Sequence, residues 1–151
     1  MIERIFTRSP DDGRDAEHRE VRVVAGAGIE GDRYFGRQDE PGQNLTLVEA
    51  EEIERFLADH GLPPDLSITG RNLVTRGVRL NDLVGREFRV GGVRLRGVEL
   101  CEPCLGLGES LAGPGRTPAM VVRAFAHRAG LRVDVLGSGS IAVGAVVDTA
   151  G

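Results

Sequence analysis

Two cysteines are the most reactive side chains of this sequence, and they stand close together as Cys101-Glu102-Pro103-Cys104. A cysteine thiolate is a nucleophile and a ligand for soft metals, and a neighbouring guanidinium raises the fraction of thiolate. Pro103 has no N–H and should end the preceding strand, which places Cys104 on a loop at a strand end. Cys101 continues an apolar strand and is expected to be buried. The residues alone leave Cys104 open between a reactive thiol and a buried small hydrophobe.

The sequence does not favour a zinc site or a structural disulfide. Two cysteines and three scattered histidines, His18, His60 and His127, are hard to assemble into a closed four-ligand zinc site. A structural disulfide is not expected in a cytosolic protein. The cysteines therefore form a reactive thiol, a redox pair or two inert residues.

Two glycine-containing segments carry side chains that suit an anion. One turn delivers Asp32 and Arg33, and a second segment places Arg71 and Asn72 at the start of a strand. Backbone N–H groups of such turns and the guanidinium fork both bind phosphate oxygens. Each segment also has a simpler explanation, the first as a turn with a surface ion pair and the second as the beginning of a strand. In regular strand geometry only one of Arg71 and Asn72 faces a pocket, because adjacent residues point to opposite faces.

Short apolar runs between glycines predict that strands position these side chains. The chain holds 22 glycines, and the clearest strand pair is a hairpin that turns at Gly91 and Gly92. The apolar alternation slips at Gly97, which predicts a β-bulge just before the cysteines. Further strands are predicted at residues 2–6, 21–24, 72–74, 131–136 and 145–147, and residues 9–19 are predicted to be an exposed loop.

Two helices are predicted among these strands. Thr46 and Glu49 match a capping box, with Thr46 as the N-cap of a helix that Gly61 ends. Thr117, followed by a proline in the first helical position, begins the second helix, and Gly130 can end it. Strands before, between and after two helices predict a mainly β domain with a few helices, either a barrel or a strongly curved sheet.

Length and composition limit the classes of function. The 151 residues fit a single domain, 1–151. The formal net charge is -4, with no basic block and only 4% aromatic residues, so no binding of nucleic acid is expected. No apolar run is long enough to cross a membrane and no signal peptide is recognisable, so a cytoplasmic location is expected. All 19 basic residues are arginine, which excludes a lysine Schiff base.

The order of these segments resembles the MOSC family, the domain found at the C-terminus of molybdenum-cofactor sulfurases. The matching segments are Gly-Ile-Glu-Gly-Asp-Arg-Tyr34, Gln43-Asn-Leu-Thr-Leu-Val-Glu, Gly-Arg-Asn-Leu-Val74, Leu80-Asn-Asp-Leu-Val-Gly, Glu-Pro-Cys104 and Gly-Ser-Ile-Ala-Val-Gly144. The resemblance covers a core of residues 21–147, nearly the whole chain. It implies a MOSC-type β-barrel with a few helices.

The resemblance also implies a cofactor and the residues that hold it. Members of the family include enzymes that reduce N-hydroxylated compounds, in which a cysteine thiolate ligates molybdenum and Arg and Asn side chains hold the pterin phosphate. Carried over to this sequence, Cys104 becomes the catalytic thiolate and the metal ligand. The residues that bind the molybdenum cofactor (molybdopterin) become Asp32, Arg33, Thr46, Arg71 and Asn72. A family-level association with pyridoxal phosphate comes with the same resemblance.

Four hypotheses for function follow. The first is a molybdenum-cofactor oxidoreductase module that acts on a small-molecule substrate and takes electrons from a separate donor protein. The second is a sulfur carrier that receives a persulfide on Cys104 from a sulfur donor protein. The third is a binding module that senses or delivers the cofactor without turnover, and the fourth is a thiol redox protein that uses Cys101 and Cys104. One departure from the family pattern is Gly144-Ala145, where the family often has Gly-Asp.

Overall fold

The computed structural model describes residues 1–150, and strands make up most of its regular structure. The strands are β1 (Ile2–Arg8), β2 (Asp15–His18), β3 (Glu20–Val24), β4 (Gly28–Ile29), β5 (Leu45–Glu49), β6 (Leu73–Thr75), β7 (Glu87–Val90), β8 (Val93–Leu100), β9 (Leu131–Val135), β10 (Gly139–Ala142) and β11 (Val147–Asp148). The helices are α1 (Ala50–Asp59), α2 (Leu105–Leu111) and α3 (Pro118–Phe125), and a 3-10 turn spans Leu80–Leu83. Within residues 1–150, no helix has the length and apolar character needed to span a membrane.

Two sheets enclose the main core. The larger has eight strands in the order β11-β7-β8-β9-β5-β6-β1-β2 and curls into a half barrel, and the smaller has the order β10-β3-β4. Within the larger sheet β5 and β6 are parallel, whereas β9 pairs with β5 and β8 in antiparallel register. Buried side chains of both sheets fill the space between them, among them Ile5, Leu47, Leu73, Val133, Val23, Ile29 and Ile141. The prediction of a mainly β fold with a few helices is confirmed.

The helices cover the outer face of the larger sheet. Side chains alternate along a strand, so Leu47 points into the main core while Val48 points outward. Phe6, Val48 and Val74 form a second core with Ile53, Phe56, Val121 and Phe125 of the helices. Thr46 has the same parity as Val48 and therefore belongs to this outer face.

The hairpin and the bulge before the cysteines form as predicted. Val90 pairs with Val93, and the two turn glycines have φ values of 55° and 89°. The register of β8 against β9 shifts between Gly97 and Glu99. A Cβ at Gly97 would stand 2.1 Å from the carbonyl oxygen of Leu83, so only glycine fits where the 3-10 turn crosses the strand.

The prediction that Thr46 caps the first helix is wrong. Thr46 lies inside β5, which is hydrogen-bonded on both sides, and α1 begins at Ala50 with Glu49 as its N-cap. The Thr46 hydroxyl contacts Asn72 instead of the helix, so a long-range strand contact replaces the local cap. Gly61 follows the end of α1 with φ of 63°, as predicted.

Other differences lie at the ends of elements. Residues 15–18, predicted to be loop, form the edge strand β2 against β1. Helix α2 was not predicted, because its sequence of Leu, Gly, Glu and Ser has no clear apolar periodicity. The second predicted helix, α3, has Thr117 as its N-cap but ends at Phe125, so His127 and Gly130 lie beyond it.

Candidate functional site

Cys104 stands where β8 has ended and α2 begins, and its side chain is exposed. As the N-cap of α2 it lies next to peptide N–H groups that no helical carbonyl uses. The N–H of Leu107, and secondarily those of Gly106 and of Cys104 itself, hold the pKa of the Cys104 thiol below its usual value, and the charge of Arg71 adds to this. Cys104 is therefore thiolate at a lower pH than an ordinary cysteine.

Cys101 has the opposite environment. It is 2% exposed, and burial raises the pKa of its thiol, although Arg71 and Arg132 oppose that shift. Its N–H donates to the carbonyl of Gly130 at 2.8 Å. Both cysteines are free. The same loop thus holds an exposed thiol with a lowered pKa and a buried thiol with a raised one.

The segment after α3 fastens the cysteine loop to Arg71. Gly130 supports Cys101, and the preceding carbonyl, of Ala129, accepts a hydrogen bond from Nε of Arg71 at 3.0 Å. A Cβ at Gly130 would lie 2.2 Å from the carbonyl oxygen of Leu47, which is why glycine allows this segment to approach β5. The backbone N–H of His127 also donates to Glu102 at 3.3 Å. The cysteine loop and Arg71 are therefore positioned by one backbone segment.

A cavity of about 170 Å³, here called the arginine cavity, opens beside this loop. Its lining residues are Tyr34, Arg37, Gly42, Gln43, Thr46, Arg71, Cys101 and Arg132. Three of them are guanidinium groups, and none is an aspartate or glutamate. Glu99 is an ion-pair partner of Arg132, at the long distance of 3.9 Å. The cavity is therefore suited to an anion, and a dianion such as a phosphate ester matches several guanidinium forks at once.

Thr46 lines the arginine cavity, and Asn72 supports it from behind. The Thr46 N–H and hydroxyl both donate to Oδ1 of Asn72 at 3.2 Å, and the Asn72 N–H donates to Oγ1 of Thr46 at 3.1 Å. The Asn72 side-chain amide donates to the carbonyl of Phe6 at 3.0 Å. Asn72 is 3% exposed and directly precedes β6. Its hydrogen bonds to Thr46 in β5 and Phe6 in β1 connect the three strands and hold the neighbouring Arg71 in place.

Asp32 and Arg33 lie behind Tyr34. The carboxylate of Asp32, 3% exposed, accepts the N–H of Arg8 at 3.0 Å and that of Tyr34 at 3.2 Å. The guanidinium carbon of Arg33 lies 4.6 Å from the centre of the Tyr34 ring, and that of Arg37 lies 5.7 Å from it. Nη1 of Arg33 is buried and has no hydrogen-bond acceptor among the described residues. A buried guanidinium nitrogen without an acceptor is costly, and an anionic ligand would satisfy it.

Of the six predicted site residues, Thr46 and Arg71 line the arginine cavity, whereas Cys104 does not and the cavity's cysteine is Cys101. Arg33 stacks on one of its walls, and Cys104 lies within the electrostatic reach of Arg71. Asp32 and Asn72 are buried behind the walls. Their roles toward a cofactor stay predictions.

Arg37 and Arg132 were missed from the sequence. Arg37 sits in an irregular loop with no motif around it, and Arg132 alternates along β9 like any outward-facing strand residue. Only the pairing of β9 with β5, by which Arg132 lies opposite Thr46, reveals its place. The one sequence signal was an arginine at an outward-facing position of a predicted strand. That signal points to Arg132 only once this strand is known to pair with the strand of Thr46.

Both the sequence and the fold are similar to those of known proteins. The sequence matches the family model for the MOSC domain over residues 33–148. The fold is similar to the YuaD protein from Bacillus subtilis, with a TM-score of 0.79 at 19% identity over 94% of this chain and 90% of that one.

Two further solved structures share the fold. YiiM from Geobacillus stearothermophilus gives a TM-score of 0.73 at 18% identity, over 100% of this chain and 75% of that one. YiiM from Escherichia coli gives 0.65 at 15% identity, over 100% and 70%. Identities this low show a common fold and leave activity open. No curated protein matches the sequence.

Proposed function

This chain belongs to the MOSC domain family, which is associated with molybdenum-cofactor binding, and on that premise we propose that it holds the cofactor in the arginine cavity and acts as an oxidoreductase module. The cavity's guanidinium groups would hold the pterin phosphate, and the Cys104 thiolate would hold the molybdenum. When bound, the molybdenum centre supplies the two-electron redox chemistry, and the chain binds, orients and tunes it. Electrons come from a separate donor protein.

The observation that carries the proposal is a cluster of arginines with no carboxylate among them. Arg37, Arg71 and Arg132 line a cavity without an aspartate or glutamate, and the nearby Arg33 has a buried nitrogen without an acceptor. Glu99 offsets only Arg132, and at the long distance of 3.9 Å, so the other guanidinium groups of the cavity repel one another in the absence of an anion. A phosphate dianion supplies the missing charge and the missing acceptor, so these residues fit the phosphate end of the cofactor.

Cys104 fits the metal end. Molybdenum takes a soft thiolate, and the N–H groups at the start of α2 favour that ionisation state. Thr46, Asn72 and Asp32 act as positioning residues, because Thr46 and Asn72 bond to each other beside Arg71 and Asp32 accepts the N–H of Tyr34.

The test is the molybdenum content of protein purified from a host that makes the cofactor. We expect near-stoichiometric molybdenum in the wild type, its loss in Cys104→Ser and its retention in Cys101→Ala, the matched control from the same loop. Arg71→Met should lower the content because it removes a phosphate contact and a charge beside the thiolate. Thermal unfolding of each variant verifies folding. Full retention of molybdenum by a folded Cys104→Ser protein would overturn the assignment.

A sulfur-carrier function is the second candidate, favoured by the exposure of Cys104. An exposed thiolate with a lowered pKa is accessible to a sulfur donor and can hold a persulfide. This function predicts no molybdenum, together with a mass increase of one sulfur atom on Cys104 after incubation with a sulfur donor protein. Stoichiometric molybdenum without persulfide argues against it.

A further inference from the structure

Cys104 is exposed beside the arginine cavity, although it does not line that cavity. Cys101, three residues earlier in the chain, does line it. Three residues of fully extended chain span at most about 11 Å, which limits the separation between Cys104 and the cavity wall. A small molecule attached to the Cys104 sulfur through a short, flexible arm can therefore place the far end of that arm in the cavity.

Two arginines of the cavity have donors to spare. Nε of Arg71 donates to the carbonyl of Ala129 at 3.0 Å, and its Nη groups have no acceptor among the described residues. The guanidinium of Arg37 lies over the Tyr34 ring and has no ion-pair partner in the same part of the chain. Arg71 is near enough for its charge to act on the Cys104 sulfur. An anion at the end of a short arm therefore finds free guanidinium forks near the thiol.

Arg33 independently indicates an anion that the chain itself does not supply. Its Nη1 atom is buried and has no acceptor among the residues that the structure describes. Its guanidinium stacks on Tyr34, which lines the arginine cavity. A buried charged donor without an acceptor costs free energy, so an anionic group bound in this region is favoured.

The carboxylates nearest to Cys104 in the sequence are engaged elsewhere. Glu102 accepts the backbone N–H of His127 at 3.3 Å, and its second oxygen lies 3.4 Å from Nδ1 of the same histidine. Glu99 pairs with Arg132 at 3.9 Å. Neither glutamate lines the arginine cavity, so the side of Cys104 that faces the cavity favours negative groups.

From this arrangement we infer that Cys104 is a modification site for small disulfides that carry an anionic arm. The Cys104 thiolate attacks one sulfur of the disulfide R–S–S–R and forms the mixed disulfide Cys104–S–S–R, and the other half leaves as R–S⁻. Cys104 is thereby oxidised and the departing half is reduced. The anion of the attached arm lies against Arg37 and Arg71.

The reaction requires no cofactor, so the inference does not rest on the proposed function. The two are nevertheless in competition, because the attached arm and the cofactor require the same sulfur and the same arginines. A chain modified at Cys104 is therefore expected to hold no molybdenum until a free thiol removes the arm.

The experiment compares three disulfides on the full chain, purified from a host that does not make the cofactor. Both arms of each disulfide are three methylene groups long and end in a carboxylate, an ammonium or a hydroxyl group. Mass spectrometry follows the adduct on Cys104, and each rate is divided by that of the same disulfide with a neutral small thiol, which removes differences between the leaving groups. We expect the carboxylate disulfide to react about tenfold faster than the ammonium disulfide, with the hydroxyl disulfide between them.

Two arginine variants and a matched control locate the source of this preference. Arg37→Met and Arg71→Met should each lower the carboxylate-to-ammonium ratio about threefold. Arg22→Met removes the same charge from an exposed position of β3, outside the cavity, and should leave the ratio unchanged. Inorganic phosphate should slow the carboxylate disulfide more than chloride does at equal ionic strength, because phosphate occupies the guanidinium forks. Thermal unfolding verifies that each variant is folded.

A normalised ratio near one in the wild type would overturn the inference. A ratio that neither folded arginine variant lowers, or an adduct on Cys101 in place of Cys104, would do the same. Molybdenum content is measured separately, on protein from a host that makes the cofactor. A chain that holds molybdenum but shows no preference for the anionic disulfide refutes this inference and leaves the proposed function standing.

Discussion

Individual residues set the chemistry of the site through their immediate neighbours. Cys101 and Cys104 belong to one short loop, yet one is buried against Leu107 and the helices and the other is exposed at the start of α2. Burial disfavours the charged form of Cys101, whereas peptide N–H groups favour the charged form of Cys104. Position within the loop thus determines which sulfur is available for ligation or attack.

The first prediction concerns alkylation of the two thiols by iodoacetamide as a function of pH. In Cys101→Ala, which leaves only Cys104, the reaction should have a midpoint below the ordinary thiol pKa of about 8.5, because the thiolate persists to lower pH. In Cys104→Ala the remaining Cys101 should react slowly, with a midpoint above that value. Mass spectrometry of time points gives both profiles, and identical midpoints would contradict the assignment of the two environments.

The sequence predicted which residues belong to the site better than it predicted the contacts that these residues make with distant segments. The Cys-Glu-Pro-Cys segment indicated a loop at a strand end because proline and the strand pattern are local signals. Arg37 and Arg132 escaped because their place depends on strand pairing between distant segments. The sequence could not show that the Asn72 amide hydrogen-bonds to Thr46 and Phe6, because those contacts join distant strands, and its role toward a cofactor stays a prediction.

At the scale of elements, β8 and its bulge aim the cysteine loop. The register shift after Gly97 turns the end of the strand so that Leu100 packs toward the main core and Cys101 packs under the helices. The slip in the alternation of apolar residues at Gly97 predicted this bulge, and the pair of glycines predicted the hairpin. The capping box at Thr46 misled because a strand with partners on both sides outweighs a local cap.

The second prediction tests the close approach at Gly97. Gly97→Ala should lower the free energy of unfolding by about 1–3 kcal/mol, since the added methyl collides with backbone of the 3-10 turn. Gly137→Ala is the matched control, because its nearest neighbour would be at an ordinary 3.7 Å, and it should change stability by about 0.5 kcal/mol or less. Urea unfolding measures both, and equal effects of the two substitutions would contradict the crossing described at Gly97.

The whole molecule consists of two cores of different strength. The space between the sheets is closed by strands hydrogen-bonded to neighbours on both sides, with side chains such as Leu131 and Val133 fully buried. The layer outside contains α2, a helix of 7 residues with only Leu107 and Gly108 buried. Helices this short are not stable alone, so α2 depends on its contact with α3.

The third prediction follows from this difference. Amide hydrogens of α2 should exchange with protection factors at least about tenfold lower than those of β9, because α2 opens locally without unfolding the sheets. Hydrogen–deuterium exchange followed by NMR resolves the two segments in one sample. Equal protection in α2 and β9 would mean that both cores open together and would contradict this view.

Asp32 connects the arginine cavity to β1, because its carboxylate accepts the N–H groups of both Tyr34 and Arg8. An anion that binds in this cavity only when the chain is folded stabilises the fold as well as the site, by an amount that grows with the anion concentration. The folded chain and its anionic ligand would then protect each other: loss of the ligand makes unfolding easier, and unfolding releases the ligand.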